Sequence, residues 1–149
     1  MSDEYITIKK KAFSLLARRE HGVEELRAKL RLKAFDDSLI DNVLADLIGE
    51  NYLSDERYIE MMFRYHFERG QGPRKILSLL RQVNISEYLS QQAYREFEGD
   101  WFESASKVRA KRFGDWLGDI LEKPRQIRFL SGRGFEHEHI ESAFNAPSQ

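Results

Sequence analysis

The residues with the clearest potential for metal chemistry lie near the C-terminal end of the chain. His137 and His139 stand two positions apart among Glu136, Glu138 and Glu141. On a helix, residues two apart point in different directions, and only the pair His137 and Glu141 shares a face. A metal centre needs several ligands that converge on one point. This segment therefore favours a solvated helix face over a metal site.

The other titratable candidates are isolated or belong to a helix end. Asp37 and Asp41 share a face, but they fit an acidic helix start that the macrodipole stabilises. His21 and His66 have no serine or clustered carboxylate at a recognisable spacing, and the chain contains no cysteine. A thiolate nucleophile, a zinc–thiolate site and a disulfide are therefore excluded. We expect a protein that is not an enzyme and that carries no metal and no cofactor.

A short glycine-rich segment, Gly70-Gln71-Gly72, looks like a fragment of a phosphate-binding loop. No predicted strand precedes it and no Gly-Lys-Ser/Thr follows it, so the usual phosphate cradle is missing. A better interpretation is a glycine that ends one helix, followed by a turn into Pro73 at the start of the next. Gly70, Gly72 and Pro73 are therefore predicted to form a structural turn.

Basic residues carry the one signal for a binding surface. The chain has 24 Lys and Arg against 25 Asp and Glu, so only a local patch can attract an anionic partner. The candidate groove for a protein partner or DNA consists of Arg64, Arg69, Arg74, Lys75, Arg81, Lys107, Arg109, Lys111, Arg112, Arg125, Arg128 and Arg133. Such a groove fits phosphates or the carboxylates of a partner. A solvated face of mixed charge is the alternative for any one of these residues.

The elements that must position these residues are helices. Apolar residues recur at helical spacing along nearly the whole chain, and no segment alternates as a strand does. Turn residues such as Asp36, Ser54 and Pro73 mark the helix starts. The pattern predicts an all-α fold of about nine helices near 5–19, 23–34, 37–49, 55–69, 73–83, 87–99, 101–118, 124–132 and 136–145.

Apolar positions also repeat with a period of 50 residues. The period aligns Phe13, Phe63 and Phe113, then Ala17, Phe67 and Leu117, and in the second helices Leu26, Ile76 and Ile127, with a single deletion restoring the register at Phe35, Ile85 and Phe135. We interpret this as three three-helix modules at 1–53, 54–99 and 100–149, the last with a short C-terminal tail. The aligned phenylalanines are predicted to lie on buried stripes.

Length and composition are typical of a small globular protein. The chain has 149 residues, of which 41% are hydrophobic and 33% charged, so two large domains are excluded. No segment approaches the roughly 18 apolar residues that a membrane span needs. We expect a soluble, cytoplasmic monomer without a membrane partner. Among the aromatic residues, only Tyr65 and His66 are candidates for stacking on an unpaired base.

Three stretches of sequence carry a resemblance to a known family. They are Leu16–His21 running into Val23–Leu30 in the first module, Gly49–Tyr58 with Arg69–Ile76 and Leu80 in the middle module, and Arg128–Phe135 in the third. On these stretches the chain resembles RecX, the bacterial regulators of the RecA recombinase, from Ala12 to Phe144.

The resemblance implies a negative modulator of RecA. Such a protein docks in the groove of the RecA–DNA filament and inhibits ATP hydrolysis, filament growth and strand exchange. It also implies a place in DNA repair by homologous recombination and in the SOS response. Single- or double-stranded DNA would be bound weakly or through the filament.

Two other functions remain open from the residues alone. A helix-turn-helix regulator that binds DNA without RecA would also be all-helical, but it concentrates cations on one recognition helix. The predicted third helix, from Asp37 to Gly49, contains no Lys or Arg. A purely structural scaffold of helical repeats would need no basic groove, so loss of the basic charges would not change its binding.

The repeat predicts an elongated, curved array. A compact globule of this length has a radius of gyration of about 15 Å, whereas modules that contact only their neighbours in a row should give about 18 Å or more. Small-angle X-ray scattering of the full chain measures this radius directly. A value at the compact figure would contradict a linear stack.

Overall fold

The computed structural model describes residues 2–145. Within that range it contains nine α-helices and no β-strand: α1 Asp3–Leu16, α2 Val23–Arg31, α3 Asp37–Gly49, α4 Asp55–Glu68, α5 Pro73–Gln82, α6 Glu87–Glu96, α7 Trp101–Phe113, α8 Lys123–Gly132 and α9 His137–Ser142. The prediction of an all-α chain is confirmed. Residues 146–149, in the short C-terminal tail predicted for the third module, lie outside the described residues. No helix in the described range is both long and apolar enough to cross a bilayer.

The described chain divides into two compact units. The first contains the residues up to Met61 together with Leu80–Ser90, and the second contains Met62–Leu79 together with the residues from Gln91 onward. Helices α4, α5 and α6 each contribute residues to both units.

In the first unit, α1, α2 and α3 each bury one apolar stripe. The core residues are Tyr5, Ile8, Ala12, Leu26, Leu30, Ile40, Val43, Leu44, Leu47 and Leu53. Helix α3 begins where it does because the Asp36 carboxylate accepts hydrogen bonds from the amides of Ser38 and Leu39, at 2.9 and 3.2 Å. Together with the Ser38 hydroxyl, these donors lower the pKa of Asp36.

In the second unit, the core is built largely from aromatic rings. The ring of Phe63 lies 6.4 Å from that of Tyr94, 5.6 Å from Phe97 and 6.3 Å from Trp101, measured between centroids. The ring of Phe67 packs edge-on against Trp101 at 5.1 Å. Such rings bury a large apolar area per residue, so they suit a core formed by short helices.

The 50-residue period is visible in the backbone as well as in the core. A residue with positive φ follows the second helix of each module at Ala34, Asn84 and Gly134, with φ of 59°, 59° and 98°. Leu30, Leu80 and Leu130 are fully buried at the same spacing. The second and third helices of the modules therefore keep a spacing of 50 residues, without a deletion in the third copy.

The predicted alignment of Ile127 with Leu26 and Ile76 is wrong by one position. The residue 50 positions after Ile76 is Gln126, which is buried, whereas Ile127 is only partly buried. The prediction failed because Pro124 was taken as the first residue of α8, which begins at Lys123. Ile127, the apolar neighbour of Gln126, was also the more plausible buried residue by type, because buried positions are usually apolar.

Two predicted first helices end earlier than expected. Helix α7 ends at Phe113 rather than 118, because Gly114 follows with a φ of +78°. Helix α1 ends at Leu16 rather than 19. Consequently Leu117, which the 50-residue period aligns with Phe67, is 90% exposed. Ala17, aligned with the same position, is exposed as well. Phe13, predicted to be buried, is 36% exposed and packs edge-on against Tyr52.

Replacing Phe63 with alanine tests the second core. Phe63 is only 1% exposed, so Phe63→Ala should lower the free energy of unfolding by roughly 3 to 5 kcal/mol through lost burial and a cavity. Urea unfolding followed by circular dichroism measures the change.

The matched control is Phe13→Ala, which removes the same side chain at the equivalent repeat position. Since that ring is partly exposed, the loss should be only about 1 kcal/mol. Equal losses in the two variants would contradict the assignment of Phe63 to the core.

Candidate partner-binding site

The predicted turn at Gly70, Gly72 and Pro73 joins α4 to α5 and packs against the turn between α8 and α9. The Gly72 amide donates a hydrogen bond to the Arg133 carbonyl at 2.7 Å, and the Arg74 amide donates to the Gly134 carbonyl at 2.8 Å. All of these residues belong to the second unit. The contact therefore joins the middle and third modules through their backbones.

This contact depends on glycine at both turns. A Cβ on Gly72 would overlap the backbone of Gly134, and a Cβ on Gly134 would lie 2.6 Å from the Lys75 nitrogen. Gly134 also has a φ of +98°, a conformation that side chains disfavour. At Gly70 the φ of +78° closes the end of α4. Only glycine allows the two turns to approach this closely.

A groove with a volume of 910 Å³ opens beside the paired turns, within the second unit. Its lining contains five predicted basic residues: Arg69, Lys107, Lys111, Arg112 and Arg133. It also contains the acidic residues Glu68, Asp100 and Glu103 and an apolar floor that includes Phe67, Val108 and Phe129. The groove thus combines an excess of positive charge with aromatic surface.

Aromatic rings hold several of the guanidinium groups in place. The Arg69 guanidinium lies 4.3 Å from the ring centroid of Tyr65. Arg112 and Arg133 lie 5.3 and 5.2 Å from the ring centroid of Phe129. Such cation–π contacts orient a guanidinium while leaving its N–H donors available for a partner. Arg133 also donates a hydrogen bond to the Arg69 carbonyl at 3.3 Å.

The remaining predicted cations differ in their surroundings. Arg74, Lys75 and Arg128 are exposed and form no ion pair with any of the described residues. Arg125 pairs with Glu122 at 2.9 Å, and Lys107, on the groove, pairs with Glu103 at 2.8 Å.

Two further arginines of the predicted set are not among the residues that line the groove. Arg64 is exposed on α4. Arg81 belongs to the first unit and pairs with Glu87 at 3.0 Å.

The prediction that Arg109 lies on the basic surface is wrong. Arg109 is 5% exposed, and its guanidinium donates hydrogen bonds to the Ala143 carbonyl at 3.1 Å and to Gln126 Oε1 at 3.2 Å. Its charge pattern in sequence matched that of Lys107 and Lys111, but its position on α7 faces the core. Arg109 is a structural residue of the third module.

The histidines do not form a cluster. Burial, followed by the charges of Arg69 and Lys75, lowers the pKa of His66, so this side chain is neutral at pH 7. Burial also lowers the pKa of His139, whose Nδ1 accepts a hydrogen bond from the Glu136 amide. In the described range, no three His, Asp or Glu side chains converge in a way that could hold a metal ion.

Sequence reasoning missed three residues of this site. Phe129 and Val108 line the groove, and Gly134 closes the turn contact. The signal for Gly134 was present, because it occupies the same repeat position as Ala34 and Asn84. No sequence signal separates Phe129 and Val108 from ordinary core residues, and only the tertiary packing exposes one side of each to the groove.

Tandem three-helix modules place the chain in a class of all-α repeat proteins. Three family models match it in order: the first three-helix domain of RecX at residues 9–47, the second at 54–93 and the third at 98–144. The chain therefore belongs to the RecX family of regulatory proteins.

Relatives and solved structures agree with this assignment. The chain is 36% identical to the regulatory protein RecX of Vibrio parahaemolyticus over 94% of its length and 91% of the relative's. It is 40% identical to that of Pseudomonas putida over 93% of its length and 89% of the relative's. The crystal structure of RecX from Lactobacillus salivarius matches its fold with a TM-score of 0.80 at 18% identity, covering 96% of each chain.

Substituting Gly72 tests the turn contact. Because a Cβ at this position would overlap the backbone of Gly134, Gly72→Ala should lower the free energy of unfolding by about 3 kcal/mol or more. Chemical denaturation monitors this loss, with Gly132→Ala as the control.

Gly132 ends α8, and apart from its chain neighbours and its own helix backbone a Cβ there would meet no atom of the described chain within 4 Å. This control should unfold with unchanged stability or gain up to about 1 kcal/mol. If Gly72→Ala were as stable as wild type, the turns would not need their close approach.

Proposed function

We propose that this chain is a non-enzymatic negative modulator of RecA. It docks in the groove of the RecA–DNA filament and inhibits ATP hydrolysis, filament growth and strand exchange. Membership of the RecX family supports the regulatory role. The observation that carries the binding site is the basic surface of the second unit, which consists of Arg69, Arg74, Lys75, Lys111, Arg112 and Arg128. We place this action in the cytoplasm, where filaments form on DNA.

The basic surface suits the polyanionic character of such a filament. Arg74, Lys75 and Arg128 are exposed without ion pairs among residues 2–145, and Arg69, Lys111 and Arg112 lie along the neighbouring groove. The net charge of the whole chain is −1, so long-range attraction to DNA is weak and binding depends on these local contacts. Such contacts supply phosphate or carboxylate recognition that weakens as salt rises.

Inhibition follows from binding one state of the filament more tightly than others. A protein that contacts neighbouring filament subunits stabilises the arrangement that it fits. ATP hydrolysis and strand exchange require the filament to leave that arrangement, so its stabilisation slows both processes. No chemical step by this chain is needed.

Reversing two charges at the turn tests the proposal. In the variant Arg74→Glu/Lys75→Glu, two attractions become repulsions, so about tenfold more protein should be needed to inhibit DNA-dependent ATP hydrolysis by RecA. The slope of log affinity against log salt should fall by roughly 1 to 2. Folding should remain intact, because acidic residues suit the first turn of α5 and exposed charges contribute little to stability.

A control with the same change in net charge is Arg18→Glu/Lys33→Glu in the first unit. Both residues are exposed. The first module is the weakest candidate for phosphate binding, because Glu20, Glu24 and Glu25 lie among its basic residues and offset their charge. This control should inhibit like wild type. Equal inhibition by the turn variant at low and physiological salt would remove Arg74 and Lys75 from the interface. Wild-type protein that bound DNA but left RecA unaffected would indicate a DNA-binding regulator instead.

A further inference from the structure

The loop between α7 and α8 exposes a set of aliphatic side chains that the basic surface does not explain. We call residues 114–122 the apolar loop. Leu117 is 90% exposed, Ile120 76% and Leu121 88%. Leaving three large aliphatic side chains in water forgoes their burial, and a contiguous exposed apolar patch marks an interaction surface.

Packing and local hydrogen bonds anchor the apolar loop. The Trp116 ring packs edge-on against Phe144 with centroids 4.9 Å apart, which anchors the loop to the third module. The Asp119 carboxylate accepts a hydrogen bond from the Leu121 amide at 3.0 Å, and the Asp119 carbonyl accepts one from the Glu122 amide at 3.0 Å. Gly118, with a φ of +85°, permits the intervening turn. A preorganised loop loses less conformational entropy when it binds.

The charge of the apolar loop selects the kind of partner. Asp115, Asp119 and Glu122 are its only charged residues. Glu122 is paired with Arg125, whereas Asp115 and Asp119 are exposed and form no ion pair in the described part of the chain. Carboxylates that have no cationic partner repel DNA phosphates and anionic lipid headgroups. They fit a protein cleft that is apolar at its centre and edged by Lys or Arg.

We propose that the apolar loop is the element that contacts protein in the filament complex: Leu117, Ile120 and Leu121 insert into an apolar cleft of a RecA subunit that is edged by cations. This inference rests on the proposed function and divides its binding energy between two surfaces. The basic surface makes the salt-dependent contacts, and the apolar loop makes contacts that depend little on salt.

The test uses the full-length variant Leu117→Ser/Ile120→Ser/Leu121→Ser. Because these side chains are exposed, its melting temperature should match that of wild type. Its affinity for RecA filaments on single-stranded DNA, measured by co-sedimentation, should fall at least about tenfold at every salt concentration. The slope of log affinity against log salt should stay that of wild type, in contrast to the variant Arg74→Glu/Lys75→Glu.

Two single substitutions sharpen the comparison. Leu32 is 85% exposed in the first unit, so Leu32→Ser matches Leu117→Ser in chemistry and exposure. Only Leu117→Ser should weaken filament binding. Asp115→Lys should also weaken it, because the variant places a cation against the cationic edge of the cleft.

The outcomes separate this inference from the proposed function. If wild-type protein fails to bind RecA filaments, the proposed function is wrong. If wild type binds and the triple variant binds equally well, the proposed function stands and the apolar loop is not its protein contact. Analytical ultracentrifugation and flotation with anionic vesicles examine the other occupants. A wild-type dimer that the triple variant abolishes, or vesicle binding that it abolishes, would overturn the assignment to a filament subunit.

Discussion

The close approach of two backbone turns is the constraint on which the candidate site depends. Gly72 and Gly134 lack side chains, so the turn after α4 and the turn after α8 can exchange two hydrogen bonds between their backbones. That exchange fixes Arg69 beside Arg133, and it sets the start of α5, where Arg74 and Lys75 are exposed. Hydrogen bonds between backbones are insensitive to the rotamers of the surrounding side chains. The two hydrogen-bonded turns therefore fix the backbone positions of the basic residues that they carry.

The fold was largely predictable because each helix carries its own local signals. Apolar spacing, N-caps such as Asp36 and the proline of α5 predicted about nine helices. The described residues contain nine helices in the predicted order. The ends of α1 and α7 were misjudged, since apolar residues such as Leu117 continue the helical spacing beyond the true end. A glycine with positive φ stops the helix at Gly114 regardless of the apolar residues that follow. The spacing of apolar residues predicts which face of a helix is buried. The position at which the helix ends depends on the backbone conformation of the residues that follow.

The candidate site was predictable in its charge but not in its geometry. The predicted turn and most of the basic residues lie in the second unit, where five cations line one groove. Sequence could not distinguish Arg109 from Lys107, because both lie in the same charged stretch of α7. The distinction comes from Gln126, a buried polar residue that occupies the repeat position of Leu26 and Ile76. Its side-chain oxygen accepts a hydrogen bond from the Arg109 guanidinium.

The buried pair of Arg109 and Gln126 shows how a repeated module can diverge without losing its fold. The residues 50 positions earlier, in the second module, are Ile59 and Ile76, both buried and apolar. A single change to a polar residue would leave an unsatisfied group in the core, which costs more than the polar pair itself. The two polar residues therefore depend on each other, and the Ala143 carbonyl accepts the remaining hydrogen bond from Arg109. This links α7, α8 and the end of α9 through polar contacts that require a specific alignment of the three helices. Such alignment suits a module that must hold Lys107, Arg112 and Phe129 in register along one groove.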